Sequence, residues 1–216
     1  VPLAVKIPYQ TADFAKTTLR YMVKGGPGED LLPSGFEALL PEGTEVLSMD
    51  IDTSTRTATI DFNQAFTQYA KEDERRILEA ITWAMTSFDS IDHVQLWVEG
   101  RALKEMPVAR TPLTQPLSRK MGINVELSEG MNHFGRAMPV TLYFMNQTAD
   151  DFSYYVPVTR LIERTDDVAA AAVAELAKGP SNPNKLSGVL FPDAAKAEVQ
   201  TTGGKVVVDF DGVDLF

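Results

Sequence analysis

Near the start of the chain and again near its end, apolar residues recur at the same helical spacing. Residues 11–24 read TADFAKTTLRYMVK and residues 165–178 read TDDVAAAAVAELAK, in register at an offset of 154 without a gap. Phe14, Thr18, Leu19 and Met22 line one face of the first segment, and Val168, Ala172, Val173 and Leu176 line one face of the second. That spacing predicts an amphipathic helix in each. Thr11 and Thr165 are the expected N-caps, because a hydroxyl there can accept from free backbone N–H groups. Asp13 and Asp167 suit the positive end of the helix dipole. Gly25 and Gly179 close the helices, and Pro27 and Pro180 forbid continuation.

The pattern then changes period in both places. Leu47, Met49 and Ile51 alternate with polar residues, a turn falls near residues 53–56, and Ala58, Ile60 and Phe62 alternate on the way back. In the second copy Ala197 and Val199 alternate, Gly203-Gly204 turns the chain, and Val206, Val208 and Phe210 return. Each is a β-hairpin signature. Asp61-Phe62-Asn63 matches Asp209-Phe210-Asp211, Ser34-Gly35 matches Ser187-Gly188, and Leu40-Pro41 matches Phe191-Pro192. A repeat of this length is the signature of duplicated structural units.

The copies differ at their ends. After its hairpin the first has a helix over about residues 71–87, with Ile77, Leu78, Ile81, Ala84, Met85 and Phe88 in one stripe. Glu72–Arg76 and Arg75–Glu79 are expected ion pairs on its wet side. A strand follows, Val94, Leu96 and Val98 facing one way and Gln95, Trp97 and Glu99 the other. The second copy opens with a hairpin that the first lacks: Val140, Leu142 and Phe144 alternate, and residues 155–160 return. Only a return strand near residues 1–6 stands in the first. The first copy is therefore expected to lack its opening strand and the second its closing helix and strand, and the natural protein to extend past both ends. Residues 101–137 hold Pro107, Pro112 and Pro116 and a short strand candidate at 123–127. They read as an ordered connector, less polar than a flexible linker.

The expected fold is α+β: two similar small domains, over residues 1–100 and 138–216, each an antiparallel or mixed sheet with helices packed on one face. Length agrees, since 216 residues suffice for two domains of about 100. Hydrophobic residues make up 44% of the chain, enough to bury a core. No apolar run approaches the roughly 18–20 residues of a membrane span. No signal peptide is visible, and Val1 reads as the start of a trimmed chain. A formal net charge of −10 disfavours nucleic acid and gives no basic patch for anionic lipid. It suits solubility, or a basic partner. The absence of cysteine removes disulfides, thiolate nucleophiles and zinc–sulfur sites together.

Leu40-Pro41-Glu42-Gly43-Thr44, Thr59-Ile60-Asp61-Phe62-Asn63, the amphipathic helix, and Val94-Gln95-Leu96-Trp97-Val98-Glu99-Gly100 occur in an order that resembles the GerMN domain, the "sporulation and spore germination" domain. The resemblance covers nearly the whole chain. It departs from the pattern at Ala194-Ala195, which stand where the first copy has Gly43-Thr44. What it implies is a non-enzymatic, protein-binding scaffold. The natural protein would be a lipoprotein held at the outer face of a cell membrane through an N-terminal cysteine, in the intermembrane space during sporulation. It would act in assembly of the complex between mother cell and forespore and later in germination. The implied partners are other proteins of a sporulation channel complex, with self-association in a ring as a further mode, since the domain is similar to ring-building modules. The resemblance brings no catalytic residue, cofactor or metal ligand.

The residues offer weak chemistry of their own. Asp50/Asp52 and Asp209/Asp211 are carboxylate pairs on one strand face, as an acidic cell-wall hydrolase would need. Yet Asp50 and Asp52 alternate with Met49 and Ile51, the look of a wet strand face. His93 and His133 have no partner His nearby in sequence. Asp166 and Asp167 read as helix-start carboxylates. Gly25-Gly26-Pro27-Gly28 lacks the Lys-Ser/Thr of a phosphate loop and follows a helix. Tyr154, Tyr155 and Trp97 are candidate interface anchors, against core packing. The expectation is no catalytic, cofactor or metal site, with a wall hydrolase or a wall-fragment-binding sensor as the alternative.

Overall fold

The computed structural model describes residue 3, residues 13–131 and residues 134–210. The strand expected near residues 1–6, the expected cap Thr11, the histidine His133 and Asp211 lie outside them. The chain divides into two compact units between Met121 and Gly122.

In the first unit, α1 (Phe14–Tyr21) precedes the antiparallel hairpin of β1 (Val46–Asp52) and β2 (Thr57–Phe62). Helix α2 (Glu74–Met85) then crosses to β3 (His93–Val98), which lies parallel to β2, and β4 (Arg101–Ala102) adds antiparallel to β3. The sheet order is β1-β2-β3-β4. Alternation decides what is buried. Ala58, Ile60 and Phe62 of β2 and Val94, Leu96 and Val98 of β3 face inward against Leu19, Ile77, Ile81 and Met85. Phe62 stacks on Phe66 with ring centroids 4.3 Å apart. Residues 101–121 belong to this unit: Leu117 bridges Val94, and Met106 is fully buried.

In the second unit, β6 (Ala137–Gln147) and β7 (Ser153–Glu163) form a hairpin in register along all of both strands. Strand β5 (Glu126–Leu127) lies parallel to β7, giving the order β5-β7-β6. Residues 122–137 thus supply this unit with β5 and the start of β6. Helix α3 (Val168–Ala177) packs near Val140, Leu142, Phe144, Val156, Val158 and Ile162. Strands β8 (Glu198–Thr202) and β9 (Lys205–Asp209) form a separate two-stranded hairpin around Gly203 and Gly204, both at positive φ. The fold is α+β, with a mixed sheet in each unit.

Three local expectations need correction. The helices are capped two residues later than expected. Asp13 accepts from the Lys16 N–H at 2.9 Å and Asp167 from the Ala170 N–H at 3.0 Å, while the Thr165 hydroxyl only takes the Asp167 N–H. A carboxylate both accepts the bond and meets the dipole, so it outcompetes a hydroxyl. Helix α2 starts at Glu74 because Lys71–Asp73 form a tighter 3₁₀ turn. That turn breaks the i,i+4 geometry of Glu72 with Arg76, which pairs instead with Asp73 and Glu37. The Arg75–Glu79 pair forms at 2.7 Å.

Candidate functional site

The outer face of the first sheet gathers most of the sequence candidates. The registers place Asp52, Thr57 and His93 in one row, Asp50, Thr59 and Gln95 in the next, and Asp61 beside Trp97 in a third. Asp50 and Asp52 are exposed. Asp52 accepts from the Ser54 hydroxyl and N–H at 2.6 and 2.8 Å and from Thr55, and these bonds, the Ser54 hydroxyl first, hold its pKa down at about 2. A carboxyl so acidic carries no proton to donate near neutrality. It closes the β1–β2 turn. Asp61 accepts from the Gly100 N–H at 3.0 Å. The row of His93 continues over Gln115, Pro116, Ser118 and Lys120 to enclose an open hollow of about 540 Å³. His93 is half-buried, and its Nδ1 meets no hydrogen-bond partner among the described residues.

The other candidates are dispersed. Gly25 donates its N–H to the Glu29 carboxylate at 2.9 Å, so the chain's own acid occupies an amide that a phosphate loop would offer. A Cβ at Gly28 would come within 2.0 Å of the Tyr21 carbonyl oxygen, which explains the glycine by close packing at the helix end. Asp167 is a cap and Asp166 is exposed. Asp209 is exposed at the end of β9. Tyr154 is half-buried and stacks on Phe152 at 6.2 Å, Trp97 is half-buried, and Tyr155 is 61% exposed. Among the described residues, no group of three or more His, Asp and Glu side chains is placed to hold a metal ion. Among them also, no helix is long and apolar enough to cross a membrane.

Two buried charge networks were not visible in the sequence. Glu74, at the start of α2, is fully buried. Its carboxylate accepts from the Thr111 hydroxyl at 2.6 Å, from the N–H groups of Ala109, Thr111 and Val108 at 2.7, 3.1 and 3.2 Å, and from the Tyr69 hydroxyl at 3.0 Å. Burial pushes its pKa up, but the hydrogen bonds, led by Thr111 and Ala109, outweigh burial and hold it below the ordinary value. Tyr69 is raised, by burial first and then by its bond to Glu74. One side chain thus fastens the loop at 108–111 onto the first unit.

The second network centres on Arg160, buried in β7. Its guanidinium reaches Glu126 at 2.7 Å, the Glu175 carboxylate at 3.2 Å, and the carbonyls of Glu175 and Gly179 at 2.9 and 2.8 Å. It lies 5.4 Å from the Phe144 ring centroid. Glu175 also accepts from Ser128 at 2.7 Å and Lys178 at 2.6 Å. Burial pushes Glu175 up, and the bonds from Lys178, Ser128 and Arg160 bring it below its ordinary value. The only sequence signal was a charge inside an apolar run: Arg160 amid the β7 valines and Glu175 in an alanine helix.

Comparison with known proteins places these features. The sequence profile of the family described as "Germane: Sporulation and spore germination" matches residues 1–104 and 141–216. The spore germination protein GerM of Bacillus subtilis (strain 168) is 44% identical over 202 residues, which cover 91% of this chain and 53% of that protein. The chain therefore spans about half the length of this curated relative. A solved structure of the tandem GerMN domains of the B. subtilis sporulation protein GerM superposes with a TM-score of 0.84 at 40% identity, over 93% of this chain and 70% of that one. The first GerMN domain of the same protein matches with a TM-score of 0.50 at 45% identity, over 56% of this chain and 85% of that one.

Proposed function

Because the chain belongs to the sporulation and spore germination (GerMN) family and carries its two domains in tandem, we propose that it is a non-enzymatic scaffold, binding other proteins of a sporulation channel complex between mother cell and forespore. On this reading the natural protein is a lipoprotein held at the outer face of a cell membrane. Its units present surfaces to proteins in the intermembrane space. The membrane anchor raises their effective concentration, so that weak contacts suffice. Self-association is secondary, since a net charge of −10 opposes crowding of identical chains.

One observation carries the reading. Strand β6 is an edge strand eleven residues long without a charged residue. Natural proteins usually blunt such edges with charge, and here, among the described residues, a bridge from Ser187 to Met145 and Pro139, which lacks an N–H, do so. On the face beside it, Tyr143 and Tyr155 are exposed by 46% and 61%. Exposed tyrosines at an uncharged edge are what a protein-binding surface requires.

A photo-crosslinking residue at Thr141, exposed on the same face of β6, should capture purified proteins of the channel complex, and Tyr143→Ser with Tyr155→Ser should abolish the capture. Capture unchanged by the double variant would refute this surface. Release of new glycan or peptide ends from peptidoglycan, lost on Asp50→Asn, would refute the non-enzymatic reading.

A further inference from the structure

We infer that the outer face of the first sheet is a binding site for a neutral oligosaccharide. The inference is independent of the scaffold reading and concerns the other unit.

The face is a flat grid of polar side chains in three rows, Asp52–Thr57–His93, Asp50–Thr59–Gln95 and Asp61–Trp97, set by the β1–β2–β3 registers. Residues 115–120 wall one side and close the hollow of about 540 Å³. Among the described residues no hydrogen bond engages the side chains of Thr59, Gln95, Gln115 or Lys120. They offer a hydroxyl, two amides and an ammonium around the hollow, so the surface mixes donors and acceptors. Sugar hydroxyls, each both donor and acceptor, match that mixture.

Charge narrows the class. In the lining of the hollow Asp52 stands against Lys120, and the carboxylates of Asp50 and Asp61 on the same sheet face add negative charge beside it, which disfavours phosphates and acidic sugars. Pro116 is the one hydrophobic residue lining the hollow, and the other lining side chains carry polar groups. Trp97 follows Gln95 on the same strand face at about 7 Å, one sugar ring further on. It is half-buried, so its ring is partly available to stack against the apolar face of a sugar.

The test is an NMR titration of the isotope-labelled 216-residue chain with two probes, the β-1,4-linked tetramers of glucose and of N-acetylglucosamine. At least one probe should produce saturable shifts at Thr57, Thr59, Gln95, Gln115, Ser118 and the Trp97 indole, with a Kd in the range of about 0.1–5 mM. Comparing the probes shows whether the acetamido group is read. Thr59→Val and Gln95→Ala should each weaken binding by about tenfold, while Tyr155→Ala in the other unit leaves it unchanged. Trigalacturonate should bind at least about tenfold more weakly than the better neutral probe. No saturable shift by about 20 mM of either neutral probe would overturn the proposal. So would shifts confined to other surfaces, or salt-sensitive binding of oligolysine at this face without sugar binding.

Discussion

The hairpins β1–β2 and β8–β9 are written in the same code and meet different fates. Ala58, Ile60 and Phe62 are fully buried. Their counterparts Val206, Val208 and Phe210 are not: Val206 is 53% exposed and the other two are half-buried. In the first unit α2 and β3 follow the hairpin and press Ile77, Ile81 and Leu96 against its inner face. Among the described residues no helix or strand follows β9. Alternation specifies which face of a hairpin is able to be buried. Whether it is buried depends on the next helix and strand.

The largest effect that could break this comparison is a cavity placed on each side of it. Ile81→Ala opens the first unit's core and should cost about 2–5 kcal/mol. Val208→Ala removes a half-exposed side chain and should cost less than about 1 kcal/mol. The chain's two tryptophans, Trp83 and Trp97, are both in the first unit, so tryptophan fluorescence during urea unfolding follows that unit alone. Hydrogen exchange at the β8 and β9 amides follows the other hairpin. Equal losses from the two variants would show that β9 is covered in solution.

The duplication, the hairpins, the inward faces of β2 and β3 and the stripe of α2 were legible because each is a local period, repeated in the chain. The buried charges were not. Glu74 looks like an ordinary helix-start acid, and its partners Ala109 and Thr111 come from a loop with no periodicity. The boundary at Met121 was hidden for the same reason: the docking of residues 101–121 depends on Glu74 and on the Val94–Leu117 bridge. The outer-face grid was half legible. The alternation put Asp50, Asp52, Gln95 and Trp97 on wet faces, but only strand register shows that the faces join and that residues 115–120 wall them.

Acid is the next test, because each unit holds one buried glutamate below its ordinary pKa. For a depressed carboxylate the stabilising contribution is complete above the unfolded pKa, near about 4.3. It is lost as pH falls through the lower folded pKa. Glu74→Gln should therefore destabilise the first unit at neutral pH and flatten the acid limb of its fluorescence-detected stability. The second unit's profile should stay unchanged. Glu175→Gln should do the reverse, and the steeper loss is expected for Glu74, the more deeply buried of the two. If either variant alters both limbs equally, the units do not unfold separately.

The helix caps are where the two copies should agree, and where the effects are smallest. Asp13 and Asp167 occupy equivalent places and accept equivalent bonds, from Lys16 and Ala170. Replacing either by alanine frees one helix N–H and removes a negative charge from the dipole, so each should cost about 1 kcal/mol. Thr165 lies two residues earlier, and its hydroxyl takes only the Asp167 N–H, at 3.2 Å. Water can replace that bond, so Thr165→Ala should cost no more than about 0.5 kcal/mol. Amide exchange at Ala170 separates the two, since that N–H loses its acceptor in Asp167→Ala and keeps it in Thr165→Ala. A larger loss for Thr165→Ala would return the cap to the position the sequence first suggests and show that the carboxylate at Asp167 does not hold the helix end in solution.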